Sequence, residues 1–281
     1  MSERYKYNRE GYLNENFRMF HLRDTAGQER DFHFHEFDKI VILISGSVNY
    51  MVEGTDYTLE PWDILLVRHH MIHKALIDMS VPYERIIIYI DSAYVERFAP
   101  DGGLMDCFAE AEKRRFCLMR PDRGEIEKLK DSLDRLESSI SDTEFGAELM
   151  RGTLLAQLMV QLNRIMQRDT SSKAAPTEQS GKISAALSYI NENLTGSLSV
   201  DELAAMCYLS RYHFMRLFKQ QTGCTVHNYI RQKRLILAAR LIREGMSASS
   251  AAAECGFTDY SAFHRAFSQT FGISPGKIKS S

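Results

Sequence analysis

The sequence predicts a two-domain α+β protein: an antiparallel β-barrel with two long helices, then an all-α domain of two helix-turn-helix units. Three observations predict this. Short runs rich in Val, Ile and Tyr, punctuated by turn residues, fill residues 38–90. From about residue 99 to residue 167 the apolar residues recur at helical spacing. Within the last hundred residues, one pattern occurs twice.

The β-rich part reads as runs at 38–44, 47–52, 64–67 and 85–90. Turn signals at Ser45-Gly46, Glu53-Gly54 and Glu60-Pro61 separate them. Short strands at this even spacing suggest an antiparallel sandwich or small barrel. Asp122-Arg123-Gly124 then starts a helix, with Ile126, Leu129, Leu133 and Leu136 on one stripe. A second helix over 144–167 bears Leu149, Leu154, Leu155, Leu158, Val160, Leu162 and Ile165. Part of that apolar surface caps the barrel, and part is expected to serve a homodimer interface.

Residues 169–181 have no bulky apolar side chain and cannot offset the entropy of ordering through burial. They are expected to be a linker between a domain at 1–168 and a domain at 182–281. Charge divides along the same line. From Pro176 onward there are 12 basic and 7 acidic residues, against 23 basic and 30 acidic before it. A basic module joined to an acidic one fits a polyanion-binding domain attached to a sensory or assembly domain. Cys107, Cys117, Cys207, Cys224 and Cys255 are scattered, without metal-site spacing, and read as buried free thiols in a reducing cytosol. No apolar run is long enough to span a bilayer and the first residues show no secretory h-region, so a cytoplasmic protein is expected.

In the C-terminal module Ser199 opens a short helix, with Leu203, Ala204 and Cys207 inward. Ser210 caps a second helix over 211–221, with Phe214, Leu217 and Phe218 inward, and Gly223 ends it. A longer helix over 226–244 follows, with Arg231, Lys233, Arg234, Arg240 and Arg243 on its outer faces. The pattern then repeats. An Ala-rich helix spans 249–255, Gly256 turns the chain, and Thr258 or Asp259 caps a last helix with Phe263, Phe267 and Phe271 inward.

The second helix of such a unit enters the DNA major groove, so two units suit two consecutive groove segments. Candidate contacts are Arg211, Tyr212, Met215, Arg216 and Lys219 on one reading helix, and Tyr260, Ser261, His264 and Arg265 on the other. Arg216 and Arg265 hold matching positions, and Tyr212 is read as the counterpart of Tyr260. Each Arg suits a guanine edge. Lys219, Arg231 and Lys277 suit phosphates, which confer affinity without sequence choice.

Residues 182–281 resemble the AraC/XylS family of bacterial transcription regulators. The resemblance rests on Leu203-Ala204, Ser210, Phe214-x-x-Leu217-Phe218-Lys219, Gly223, Tyr229, Arg234-Leu235-x-x-Ala238, Leu241, Gly256-Phe257-x-Asp259, Phe263, Arg265-x-Phe267, Gly272 and Ser274-Pro275. It implies a DNA-binding domain of two helix-turn-helices joined by a helix, acting near promoters, with RNA polymerase as a partner and activation as the commoner mode. Tyr208 stands where Gly is common in such turns, and a positive φ there is costly for Tyr.

The first domain more loosely resembles the cupin-like, jelly-roll sensor of the same family, through His33-Phe34-His35, Ser45-Gly46, Pro61-Trp62-Asp63 and His73. The resemblance implies a pocket for a small-molecule effector, a sugar or other carbon source. Candidate pocket residues are His33, His35, Lys39, Tyr50, Trp62, Arg68, His73 and Tyr89. Metal-binding cupins have a Glu four or five residues after the second His. Lys39 and Ile40 stand there, so no metal and no other cofactor is expected. A buried Lys39 needs an anionic partner, either an effector carboxylate or Glu36, Asp63 or Glu84. No enzymatic activity is expected. Two alternatives stay open: a metal-dependent cupin enzyme fused to a DNA reader, using His33, His35 and His73, and a barrel that only dimerises.

Overall fold

The computed structural model describes residues 8–9, 13, 15–25, 32–78, 80–114, 116–168 and 178–278. The N-terminal domain contains β1 (Asn8–Arg9), β2 (Phe17–Asp24), β3 (His33–Phe34), β4 (Asp38–Ser45), β5 (Val48–Val52), β6 (Thr55–Leu59), β7 (Ile64–Val67), β8 (His73–Ile77) and β9 (Tyr83–Ile90). After these come α1 (Ser92–Glu96), α2 (Asp106–Arg114), β10 (Leu118–Met119), α3 (Arg123–Ile140) and α4 (Ala147–Arg168). The strands form two five-stranded sheets, ordered β1-β3-β8-β5-β6 and β10-β7-β4-β9-β2. All pairings are antiparallel except β1 with β3.

Strand alternation explains the layering. Val41 and Leu43 of β4 pack with Tyr50, Val52, Tyr57, Leu65 and Val67, filling the space between the sheets. Their neighbours Ile40 and Ile42 point the other way and pack with Leu129, Leu133, Leu155, Leu158 and Leu162 of the long helices. Period-2 side-chain placement thus gives one sheet two buried faces. Lys39 shares its parity with Val41 and Leu43, which puts it on the inner face. The predicted start of α3 is present: Asp122 accepts from the Glu125 N–H and the Glu125 carboxylate accepts from the Asp122 N–H.

Among the turns that sit in the left-handed region, two bear on the sites. Glu53 (φ 47°) and Gly54 (φ 77°) join β5 to β6 in two residues, the sign pattern of a type I′ hairpin. Trp62 has φ 73° in the turn before β7.

The C-terminal domain contains α5 (Glu178–Glu192), α6 (Val200–Met206), α7 (Arg211–Thr222), α8 (Val226–Arg243), α9 (Ala248–Glu254) and α10 (Tyr260–Phe271), ending in a 3-10 turn at Pro275–Lys277. Of the expected linker, residues 169–177 lie outside the described residues, and α5 begins at Glu178. Ser199, Ser210, Thr225, Ser247 and Asp259 each cap a helix through the side-chain oxygen. Two cores result. One joins α5, α6, α7 and the start of α8 around Phe214, Phe218 and Tyr229. The other joins the end of α8 with α9 and α10 around Phe263, Phe267 and Ala251. Tyr208 has φ 55°, so the turn between α6 and α7 does require the left-handed conformation there.

Candidate functional site

The two helix-turn-helix units are built alike. α7 follows an N-cap at Ser210 and ends at Gly223 (φ 74°); α10 follows Asp259 and ends at Gly272 (φ 73°). Phe214 and Phe263 hold the fourth position of their helices, both fully buried. Arg216 and Arg265 therefore both fall at the sixth position, and both are exposed. Arg211, Tyr212, Met215 and Lys219 on α7, Arg231 on α8, and Tyr260 and Ser261 on α10 are exposed as well, while His264 is half-buried. Tyr212 is 78% exposed. The expected match of Tyr212 with Tyr260 is corrected. Tyr260 is the first residue of α10 and corresponds to Arg211, whereas Tyr212 corresponds to Ser261. Arg211 pairs with Asp201 on α6 at 2.7 Å.

Two cations of α8 expected on its outer faces do something else. The Arg234 guanidinium donates to the carbonyls of Leu194 (2.8 Å), Gly196 (2.6 Å) and Gly256 (3.3 Å). It ties the segment after α5 to the turn of the second unit. Lys233 donates to the Glu53 carboxylate at 2.7 Å and to the His70 carbonyl at 3.2 Å, both in the N-terminal domain. The same carboxylate accepts from the Tyr229 hydroxyl and from the Ile72 N–H (2.8 Å). Apolar contacts surround this ion pair. Phe34 and Ile72 of the sensor domain belong to the core of the first helix-turn-helix unit. A Cβ on Gly54 would lie 2.4 Å from Leu187, and one on Gly223 would lie 2.1 Å from the Phe32 ring. Sequence patterning contains no signal for contacts between separate domains, so Glu53, Tyr229 and Lys233 were not legible as a set.

Inside the sensor domain, six of the eight candidate pocket residues come together. His33 pairs with His73 across β3 and β8, and Lys39 stands opposite Tyr89 across β4 and β9. Ring centroids are 4.4 Å apart for His33 and His73, 4.9 Å for His35 and His73, and 5.7 Å for His35 and Tyr89. Lys39 Nζ lies 5.9 Å from the centre of the Tyr50 ring. Burial pushes the Tyr50 hydroxyl up from its ordinary range, with neighbouring Tyr83 adding to it. Burial also holds His73 well below the usual histidine range, helped by the Lys39 charge, so its ring is neutral. Phe37 was missed. It stacks on His35 at 4.6 Å and meets Tyr89 at 4.3 Å, and the alternation 33, 35, 37, 39 could have revealed it.

Trp62 and Arg68 are not in this cluster. Trp62 faces the helix layer, where Lys130 sits 5.1 Å from its ring, and Arg68 binds Glu112 of α2. Both lie at strand ends, where chain direction changes and parity no longer predicts the face. Arg68, Glu112 and Lys233 border a cleft of about 910 Å³ between the two domains. Of the acidic partners considered for Lys39, Asp63 binds Arg120 (3.3 Å), Glu84 binds His21 (3.0 Å) and Glu36 reaches Arg243 of α8 (4.0 Å). The five cysteines are buried and form no disulfide, and burial pushes the Cys107 and Cys117 thiols up to about 12, which keeps them protonated. Among the described residues, no helix is long and apolar enough to cross a membrane.

Two family models match the chain. Residues 203–281 match the family model of a helix-turn-helix domain, and residues 19–159 match that of an AraC-like ligand binding domain. The chain is 26% identical over 262 residues to the probable transcriptional regulator LumQ of Photobacterium leiognathi, covering 91% of this chain and 94% of LumQ. It is 25% identical over 249 residues to the HTH-type transcriptional activator RhaS of Klebsiella pneumoniae (strain 342), covering 88% of this chain and 86% of RhaS. Among solved structures it is similar to an apo form of ToxT from Vibrio cholerae strain SCE256, at 16% identity and TM-score 0.41, covering 94% of this chain and 97% of that one.

Proposed function

The chain belongs to the AraC family of transcription regulators, and from that premise we propose how it reads DNA and how its sensor domain controls the reading. α7 and α10 enter consecutive major-groove segments on one side of promoter DNA. Arg216 and Arg265 each bond a base edge, with guanine the best fit. Tyr212, Met215, Tyr260, Ser261 and His264 contact bases or sugars beside them. Arg211, Lys219 and Arg231 bind phosphates. The observation that supports this reading is the equal placement of Arg216 and Arg265, both exposed at the sixth position of like-capped helices.

The sensor domain takes a small polar effector, a sugar or another carbon source, among His33, His35, Lys39, Tyr50, His73 and Tyr89. Lys39 favours an effector with a carboxylate. The domain also dimerises through α4, where Leu149 is 66% and Met150 54% exposed beside a buried Leu154–Leu155 face. A homodimer places two readers on paired half-sites. RhaS is named an activator, which supports activation through contact with RNA polymerase. The protein works in the cytoplasm, and the reading assigns it no reaction of its own.

Control runs through Glu53. Its pairing with Lys233 and Tyr229 holds the DNA-binding domain against the sensor domain. Effector binding changes the population of that docked arrangement and so the fraction free to occupy DNA. Selection of bound sequences from a random DNA pool, followed by footprinting, tests the reading. Two protected major-groove segments about 34 Å apart on one side of the duplex are expected per protomer. Binding without sequence preference would reject it.

A further inference from the structure

Three buried imidazoles meet at one point of the sensor domain. His33, His35 and His73 are 4%, 3% and 0% exposed. Each offers a ring nitrogen, and the three nitrogens lie within 4.8 Å of one another. Their positions follow from the backbone: His33 and His73 are register partners, and His35 stands two residues past His33 on the same face.

His73 shows how the cluster is oriented. Its Nδ1 lies 2.9 Å from the Met71 carbonyl oxygen. A carbonyl only accepts, so Nδ1 holds the proton and Nε2 presents a lone pair. That Nε2 is buried and has no hydrogen-bond partner. A backbone carbonyl on one ring nitrogen is how proteins fix the tautomer and direction of an imidazole whose other nitrogen ligates a metal.

We propose that His33, His35 and His73 bind one divalent transition-metal ion of the zinc, cobalt or nickel class, leaving coordination positions open for a water or an anionic small molecule. Imidazole suits these ions, and three protein ligands with an open position make a site that accepts an exogenous ligand. Bonds of about 2.0–2.1 Å hold tetrahedral nitrogens about 3.4 Å apart. The widest separation in the cluster therefore closes by up to about 1.4 Å on binding. Lys39 is buried on the same inner face. Three neutral imidazoles leave the ion its full charge, so beside Lys39 the open positions favour an anion: hydroxide, or the carboxylate of an effector. The missing cupin glutamate thus sets the charge of the co-ligand and does not abolish the site.

The test uses the full-length protein stripped with a chelator, without DNA, so its outcome is independent of the DNA-reading assignment. Cobalt(II) titration followed by visible absorption, with zinc stoichiometry from equilibrium dialysis, is expected to give one ion per chain. X-ray absorption of the zinc-loaded wild type is expected to show three imidazole nitrogens at about 2.0–2.1 Å. His35→Gln and His73→Gln, each checked for a cooperative thermal transition, should weaken binding at least tenfold. His227→Gln, on an exposed position of α8, should leave it unchanged. Lys39→Met should tighten the binding of metal alone. Substoichiometric uptake by the wild type, or a bound ion lacking the three imidazoles, would overturn the proposal without reference to any variant.

Discussion

Glu53→Gln separates the two domains' electrostatic contact from everything else the residue does. The side chains of Glu53 and Lys233 are only 16% and 12% exposed, so their 2.7 Å ion pair is shielded from water. Breaking a fully buried pair costs about 3–5 kcal/mol, because the remaining charge is stranded. Here the stranded group has an escape: separation of the domains returns Lys233 to water. The penalty therefore falls on the docked arrangement and is discounted to about 1–3 kcal/mol, a 5–150-fold shift toward separated domains. Glutamine retains the acceptor for the Ile72 N–H and tolerates the same φ, so the β5–β6 hairpin keeps its own bonds. Interdomain distance by spin-label or fluorescence measurement, and affinity for a selected DNA site, provide the readout. The variant should open the molecule and, without effector, bind DNA up to that factor more tightly. Lys233→Met completes a double-mutant cycle, with a coupling of at least about 1 kcal/mol expected. Strict additivity, with unchanged distance and affinity in both single variants, would refute the latch.

Arg216→Ala and Arg265→Ala should each lower discrimination against a mismatched base by about 1–3 kcal/mol, measured by gel-shift titration on matched and altered sites. Lys219→Ala should weaken binding to all sequences alike and reduce the slope of log affinity against log salt by about 1. Gly256→Ala should destabilise the chain by about 1–3 kcal/mol in chemical denaturation. Its φ is 76°, and the new Cβ would lie 2.9 Å from the Arg234 guanidinium carbon, which three carbonyls hold in place. Leu149→Glu, on the exposed stripe of α4, should convert a dimer to a monomer in sedimentation velocity without loss of helical signal.

The parts legible in the sequence are those governed by local periodicity. Phe214 and Phe263, each four residues past a capping position, fix the inner stripe of the reading helices, and the outward positions of Arg216 and Arg265 follow from it. Alternation likewise puts His33, His35 and Lys39 on one face. It fails at Trp62 and Arg68, which stand where strands turn. It also cannot see that Arg234 bonds three carbonyls or that Lys233 leaves its own domain, because an outward cation on a helix looks the same in sequence whatever it meets. Tyr208 and Trp62 are intermediate cases. Both have a positive φ, and Tyr208 stands where glycine is common in such turns, so its strain was foreseeable from the sequence and its tolerance was not.

A short strand links the two functional regions. In β3, Phe34 packs into the core of the first helix-turn-helix unit, while His33 and the following His35 turn inward to the histidine cluster. Ile72, also in that core, immediately precedes His73. The carbonyl that Lys233 binds belongs to His70. Segments 33–35 and 70–73 therefore each touch the histidine cluster on one side and the DNA-binding domain on the other. Close-packed interiors do not absorb displacements of an ångström locally. On the metal-site proposal, an ion that draws the three imidazoles together by about that much also shifts Phe34 and Ile72. No chain of intermediaries is needed between effector and reader. A molecule that fills the cavity while leaving the rings in place makes the same contacts in both arrangements, and it shifts nothing however tightly it binds.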